Sequence, residues 1–418
     1  MKKNNHITAP DNCTGCALCS NVCSKEAIRM VWSEEGFLVP SVDVDKCVEC
    51  GACVKNCPAQ EENIAKLQYT DDVNSVEAYG AWNQNEAVQE SSSSGGVFTS
   101  LAEQVIESGG CVFGVVWRDK LTAVFSRAET VEQLASMRGS KYTHANADGV
   151  YREVRTELLS GRRVLFSGTP CQVHALRKYL RKDYENLLTI DILCHGIPSH
   201  LILEKYIELW EQKAGKDIRQ ISFRDKPEGW SKFHVTRHYV DGSSSSTEHH
   251  IDVYMKSFLC DRALNKACYS CPYAHIPRQG DITLGDYWGV AHYHPDWPFG
   301  KGISAVLAGS VRGKTALQDV DRKLRLHPEP FAKIYAGQRV CYVHPVKNVP
   351  ESRALLLKKI KEWTFDELFE KIINIRQIGP LRIRSDGKIN KMLNLAIRVF
   401  GALERRVKRL ILDKNRWN

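Results

Sequence analysis

The sequence predicts an α/β body built on a mixed, largely parallel sheet, with a small cysteine-rich α+β domain ahead of it and a helical tail behind. Three observations predict this. Eight of the fifteen cysteines lie between Cys13 and Cys57. Apolar strands and amphipathic helices alternate through residues 96–223. From residue 351 onward helical periodicity takes over, with 17 Lys plus Arg against 8 Asp plus Glu. The rest of the chain holds 41 of each sign, so the net charge of +9 belongs to the tail and the body is neutral. The 418 residues, 43% hydrophobic and 26% charged, suffice for two to three domains with a sizeable core. The opening MKKNNHITAPDNC has no apolar signal-peptide core, and no run approaches the ~18 apolar residues of a spanning helix. A cytoplasmic location is therefore expected, and there fifteen cysteines point to metal or redox chemistry rather than structural disulfides.

The first element, residues 1–60, carries the most specific signal. Cys13, Cys16, Cys19 and Cys23 form C-x2-C-x2-C-x3-C, and Cys47, Cys50, Cys53 and Cys57 repeat it with Pro58 following. This is the spacing of a bacterial-type ferredoxin, in which three cysteines of one run hold a [4Fe-4S] cluster and the fourth serves the other cluster. One cluster takes Cys13, Cys16, Cys19 and Cys57; the other takes Cys47, Cys50, Cys53 and Cys23. Zinc also uses C-x2-C pairs, but a four-ligand zinc site gives no reason for a repeated four-cysteine run. Ser24 stands where proline would follow the first run, a change that removes no ligand.

After a polar linker over residues 60–74, the body divides into residues 75–150 and 151–340. SSSSGGVFTSLAEQVIESGG reads as a Ser/Gly loop opening a helix over 96–107, followed by the strand CVFGVVW. The backbone amides of such a loop suit a phosphate, though a serine-glycine run also serves as a plain connection. From 151 the order is helix (151–159), strand (163–166), helix (172–180), strand (187–193), helix (200–215) and strand (218–223). That order implies parallel strands with right-handed crossovers. Cys171, at the start of a helix, and Cys194 then lie just past the carboxyl ends of successive strands, on the sheet edge where open α/β sheets place ligands. The helix start favours a thiolate at Cys171.

A third cysteine group follows in ACYSCPYAHIPRQGDITLGDYWG. Cys268 and Cys271, with Cys171 and Cys194, make four thiolates, enough for a third [4Fe-4S] cluster, with Cys260 as a possible substitute. The alternative is that Cys194 and Cys260 are packing residues and the C-x2-C pair is a disulfide or an isolated metal clip. Spacing alone leaves both open. Cys111 and Cys341 read as core cysteines.

The segments SSSSGGVFTSLAEQV, MRGSKY, GRRVLFSGTPCQVHALRKYL, IDILCHGIPS, FRDKPEGW and CYSCPYAHIPRQGDITLGDYWGV, in that order, resemble the coenzyme F-420 hydrogenase/dehydrogenase beta subunits. The form resembled has a ferredoxin domain fused ahead of a flavin-binding body, and the likeness spans most of residues 1–310. It implies a flavoprotein passing electrons between a hydride-carrying small molecule at FAD and a chain of iron–sulfur clusters, with ferredoxin or another electron-transfer protein at the far end. It also implies that Cys171, Cys194, Cys268 and Cys271 hold the cluster nearest the flavin. For the flavin it points to Ser94, Gly95 and Gly96 near the phosphates, to Ser140, Lys141 and Tyr142 of RGSKY, and to Thr169 at the isoalloxazine edge. His195, beside Cys194, is a weak catalytic candidate. His144 and Ala145 depart from the more polar residues that relatives carry after SKYT, which alters the expected pocket wall.

Two other classes were weighed. PCQ also occurs in DNA cytosine methyltransferases, but the glycine-rich turn and the basic face that nucleic-acid chemistry needs are missing. An electron-relay polyferredoxin without its own substrate site differs from the flavoprotein only in lacking the flavin that converts electron pairs to single electrons. The tail, residues 350–418, reads as helices, the last over KINKMLNLAIRVFGALERRVKRLILDK with Ile389, Leu393, Ala396, Phe400, Leu403, Val407 and Leu410 on one stripe and Arg398, Arg405, Arg406, Lys408 and Arg409 flanking it. Such a helix packs on its own domain or docks peripherally on an anionic membrane face or a partner.

Overall fold

The computed structural model describes residues 6–64, 67, 77–337 and 349–373. Within the cysteine-rich head, two five-residue helices, Leu18–Val22 and Ala52–Asn56, flank an antiparallel hairpin of β1 (Ile28–Trp32) and β2 (Leu38–Val42). In the body run β3 (Glu77–Asn83), β4 (Cys111–Arg118), β5 (Thr122–Ala128), β6 (Val164–Gly168), β7 (Leu187–Ile192), β8 (Ile218–Asp225), β9 (His234–Tyr239), β10 (Ser244–Glu248), β11 (Ile282–Asp286), β12 (Ser304–Ala308) and β13 (Leu324–Glu329).

Eight of these form one mixed sheet in the order β13-β3-β12-β11-β7-β6-β4-β5. Parallel pairing is confined to its centre, β11-β7-β6-β4, and antiparallel strands close both flanks. The centre reads as the sequence suggests: VLFSG and LLTIDI are almost wholly buried, as strands covered by helices on both faces must be. The flanking β3, β12 and β13 were not anticipated, although β12, SAVLA, is buried at every position.

One expected strand belongs elsewhere. The segment 218–223 was to follow β7 in the parallel sheet; instead β8 pairs antiparallel with β9 in a separate three-stranded sheet, β10-β9-β8. The physical reason lies in its residues. IRQISFRD buries only some of its side chains and exposes Arg219 and Gln220, which a strand covered on both faces cannot do. The place beside β7 goes to β11, whose Ile282, Thr283 and Leu284 pair with Ile190, Asp191 and Ile192.

The small sheet has its own core, in which Phe223, Val235 and Tyr254 pack with Tyr206 of the helix His200–Ala214. The described part of the tail joins this core through Leu356, Ile360, Phe365 and Leu368. The long basic helix expected at 388–414, the core reading of Cys341 and most of the 60–74 linker lie outside the described residues. Cys111 is fully buried on β4, as a core cysteine should be.

The head continues the body's core rather than hanging from a tether. Ala17, Leu18, Met30 and Leu38 pack in one cluster with Tyr151, Phe166, Val173 and Leu176. Two glycines mark the closest approaches. Gly15 has φ +65°, and a Cβ there would run into the His144 imidazole and stand 2.8 Å from the Leu38 carbonyl. Gly36, in the hairpin turn, lies against Ser199 and Leu201, and its carbonyl accepts from the His200 amide at 2.9 Å. Trp32 stacks on His200 with centroids 4.3 Å apart. Gly15→Ala should therefore cost at least about 1–2 kcal/mol from the left-handed backbone alone. The expected outcome is a lower melting midpoint, with the head becoming cleavable by a protease while the body core stays intact.

Candidate redox site

Two parallel strands, β6 and β7, deliver Cys171 and Cys194 to one edge of the sheet. Cys171 is the second residue of the helix Pro170–Leu180, entered directly from β6, and Cys194 lies two residues past β7. Proline opens that helix, and the Gln172 side chain accepts from the Thr169 amide at 3.0 Å. Cys268 lies in the 3-10 turn Lys266–Ser270 and Cys271 caps it. The Ile197 amide points at the Cys268 sulfur, 3.4 Å away, and the Asn265 amide donates to the Ile197 carbonyl at 2.8 Å. These bonds lace the Cys194 loop to the C-x2-C turn. Thr169 Oγ1 lies 3.1 Å from Cys171 Sγ, so this hydroxyl is engaged at the sulfur.

The charges of these four cysteines act on one another. Burial pushes the Cys171 and Cys268 thiols well up, and the charges of Cys194 and Cys271 push both further. A helix start alone therefore does not make Cys171 a thiolate here; burial outweighs it. Four partly buried thiols whose charges oppose one another ionise together only around a cation, and a four-thiolate set is the donor set of a [4Fe-4S] cluster. Cys260 is exposed at the end of the helix Val253–Leu259, and the charges named for Cys171 and Cys268 come from other cysteines.

In the head, Cys13, Cys16, Cys19 and Cys57 line one small cavity. The crossed pairing read from the spacing thus brings the last cysteine of the second run to the first three of the first. Burial, with the charges of Cys13 and Cys57, pushes the Cys16 thiol up to about 12. Cys53 is buried beside Cys23, whose charge acts on it, while Cys47 is half-buried and Cys50 exposed. The first group faces inward. Cys16 acts on Cys171 across the contact between head and body. Tyr151, fully buried, lies where Cys16, Cys19 and Cys171 all act on its hydroxyl, which donates to the Cys16 carbonyl at 2.6 Å.

Farther along the same edge lies the Ser/Gly loop. Ser94 Oγ donates to the Ile303 carbonyl at 2.8 Å, and the Gly95 amide donates to Ser304 Oγ at 2.9 Å, at the start of β12. Gly95 is required by packing: a Cβ would collide with the Ala81 carbonyl of β3 and stand 2.8 Å from the Ser304 nitrogen. Gly96 has φ +84° and opens the helix Val97–Glu107. The RGSKY loop comes to the same place, since the Ser140 amide donates to Ser93 Oγ at 2.8 Å. Lys141 and Lys226 flank the loop with ammonium groups held by backbone carbonyls. Lys141 donates to Ser136 and Arg138, and Lys226 to Gln89, Ser94 and Lys301, all within 3.1 Å. Burial lowers both pKa values to about 7. Between this loop and the cysteines, Arg224 forks onto Asp286 at 2.7 and 3.2 Å and donates to the Tyr142 hydroxyl at 3.0 Å. Sequence reasoning named neither Lys226 nor Arg224 as a site residue. The available signal was FRDKPEGW itself, a cluster of charges closing an apolar strand.

The model of the coenzyme F420 hydrogenase/dehydrogenase beta subunit N-terminus matches residues 78–151 and that of its C-terminus residues 161–333, together more than half of the chain. The chain belongs to this family. The model of a 4Fe-4S dicluster domain matches residues 12–60. Thirteen solved chains match. One comes from a xenon-derivatised F420-reducing [NiFe] hydrogenase complex of Methanosarcina barkeri, 16% identical over 73% of this chain and 91% of that one, with a TM-score of 0.44. No curated protein matches.

As a member of the beta subunit family with a 4Fe-4S domain, the protein is an iron–sulfur oxidoreductase. Among the described residues no helix is long and apolar enough to cross a membrane. His144 is buried against Gly15 of the head, and burial lowers its pKa to about 4. His195 Nε2 lies 2.6 Å from Asp261 Oδ1, with its ring against Phe258.

The two lysines give the loop a pH signature. Their charged forms, which attract an anion, prevail below pH 7 and are lost above it. Affinity for a pyrophosphate-bearing ligand should therefore fall as pH rises from 6 to 8.5, by up to about tenfold per unit for each lysine that must be charged. Titration calorimetry with a dinucleotide would check this, and Lys226→Met should flatten the dependence.

Proposed function

We propose that the protein moves electrons between a hydride-carrying small organic molecule, an F-420-like coenzyme or another substrate, and a chain of three [4Fe-4S] clusters, by way of FAD. A ferredoxin or another one-electron carrier protein takes or supplies electrons at the far end. The observation that carries this reading is the meeting of Cys171 with Cys16 around Tyr151. The Tyr151 hydroxyl donates to the Cys16 carbonyl at 2.6 Å, and its ring packs in the core shared by Val173 and Leu176 of the helix that carries Cys171.

The residues fit both groups. Cys171, Cys194, Cys268 and Cys271 would hold the inner cluster; Cys13, Cys16, Cys19 and Cys57 the near head cluster; Cys23, Cys47, Cys50 and Cys53 the outer one. Ser94, Gly95 and Gly96, with Ser140, Lys141 and Lys226, would hold the phosphates of FAD, and Tyr142 and Thr169 would lie toward its ring. Bound there, a flavin accepts two electrons as a hydride and releases them singly, which is the chemistry a chain of one-electron clusters requires. The chain's own residues do the rest. Lys141 and Lys226 would attract the phosphates, the bonds through Ile197 would hold the Cys194 loop to the C-x2-C turn, and the Tyr151 hydroxyl would hold the Cys16 loop. The exposed Cys50 puts the outer cluster at the surface, where a partner protein can reach it.

Protein purified without oxygen should hold about twelve irons with matching acid-labile sulfide, and one flavin, per chain. Cys171→Ser should lose about four irons and the flavin-linked activity while sparing the head. Cys16→Ser should stop exchange with an external ferredoxin but leave flavin reduction by hydride donors intact. About eight irons without flavin would reduce the protein to a relay subunit.

A further inference from the structure

Behind the four body cysteines lies a buried ion pair that the proposed chemistry does not use. Arg278 and Asp191 are 3% and 0% exposed, with nitrogen and oxygen 3.4 Å apart. A pair so deeply buried adds little net stability, because removing both charges from water costs about what their attraction returns. Its placement suggests another use. Arg278 donates to the Tyr273 carbonyl at 2.9 Å, two residues past Cys271, and to the Ile192 carbonyl at 3.2 Å, two residues before Cys194. One planar fork therefore spans the two segments that bring those thiols together, and its charge acts on the Cys271 sulfur. Asp191 is anchored in turn by the Thr283 hydroxyl at 2.5 Å and the Gln279 amide at 3.3 Å, so the pair has a fixed place in the β7-β11 ladder.

We propose that Arg278 is the positioning residue of the inner cluster, and that the Arg278–Asp191 pair sets that cluster's reduction potential. This rests on the reading of Cys171, Cys194, Cys268 and Cys271 as cluster ligands. The reduced cluster carries one more negative charge than the oxidised one, so a fixed cation behind two ligands favours reduction and a fixed anion opposes it. A lysine at 278 keeps the charge but cannot bridge two carbonyls with one rigid fork.

The test uses the full chain, purified without oxygen, with iron content and EPR-monitored redox titration as readouts and the head clusters as internal reference. Arg278→Lys is expected to lose inner-cluster iron selectively. Asp191→Asn is expected to keep all the iron and to move the inner signal to a more positive potential while the head signals stay in place. Asp191→Asn also decides the electrostatic claim if Arg278→Lys does not fold. An Arg278→Lys protein with the wild-type iron content and inner potential would overturn the positioning role. An unmoved inner potential in Asp191→Asn would overturn the electrostatic one. Wild-type protein with about eight irons removes the inner cluster itself, and this inference with it, so the two failures are distinguishable.

Discussion

The cost of ionising several partly buried thiols side by side is the constraint around which this molecule is arranged. In the body, Cys171 and Cys268 are each pushed up by burial and by the other thiols around them. In the head, Cys16 and Cys19 are pushed up in the same way. A fold gains nothing by collecting unpaired thiols in a poorly polarisable interior unless a cation compensates them. The surrounding structure serves that end. The central strands end together, the helix start presents Cys171, and backbone amides and the Thr169 hydroxyl meet the sulfurs. Metal binding and folding are therefore expected to be coupled in both regions.

The second theme is fixed separation. Transfer between clusters depends steeply on distance, and the head has little freedom to vary it. Asn21 donates to the Ala147 carbonyl and accepts from the Tyr151 amide, while the Tyr151 hydroxyl holds the Cys16 carbonyl. The hairpin turn is bound separately, through Gly36 and through Arg353, which contacts Glu35. Two such anchors define a plane of contact, where one would leave a hinge. His144 belongs to this contact, with its ring against Gly15.

Much of the site was legible because its chemistry is written in short-range spacing. C-x2-C-x2-C-x3-C is a local pattern, and the strand-to-helix passage VLFSGTPCQ places Cys171 at a sheet edge by local rules. The β8 strand was misplaced because helix-strand alternation was given more weight than composition, although Arg219 and Gln220 already argued against a buried central position. Lys226 and Arg224 were missed for a different reason. A charged residue at or just past a strand end reads as solvated; only the carbonyls of Gln89, Ser94 and Lys301 around the Lys226 ammonium, and Asp286 against Arg224, show otherwise.

By itself the sequence determined the two ferredoxin-type runs, the parallel centre of the sheet and the set of cysteines available to it, because each follows from spacing or periodicity along the chain. Only the tertiary structure decided that β11 rather than β8 lies beside β7. It alone decided which head cysteines face the body, and that Tyr151 joins Cys16 to the neighbourhood of Cys171. Those outcomes depend on contacts between residues far apart in the chain, such as Ile282 with Ile190 and Tyr151 with Cys16. Burial and packing settle such contacts, and no local pattern encodes them.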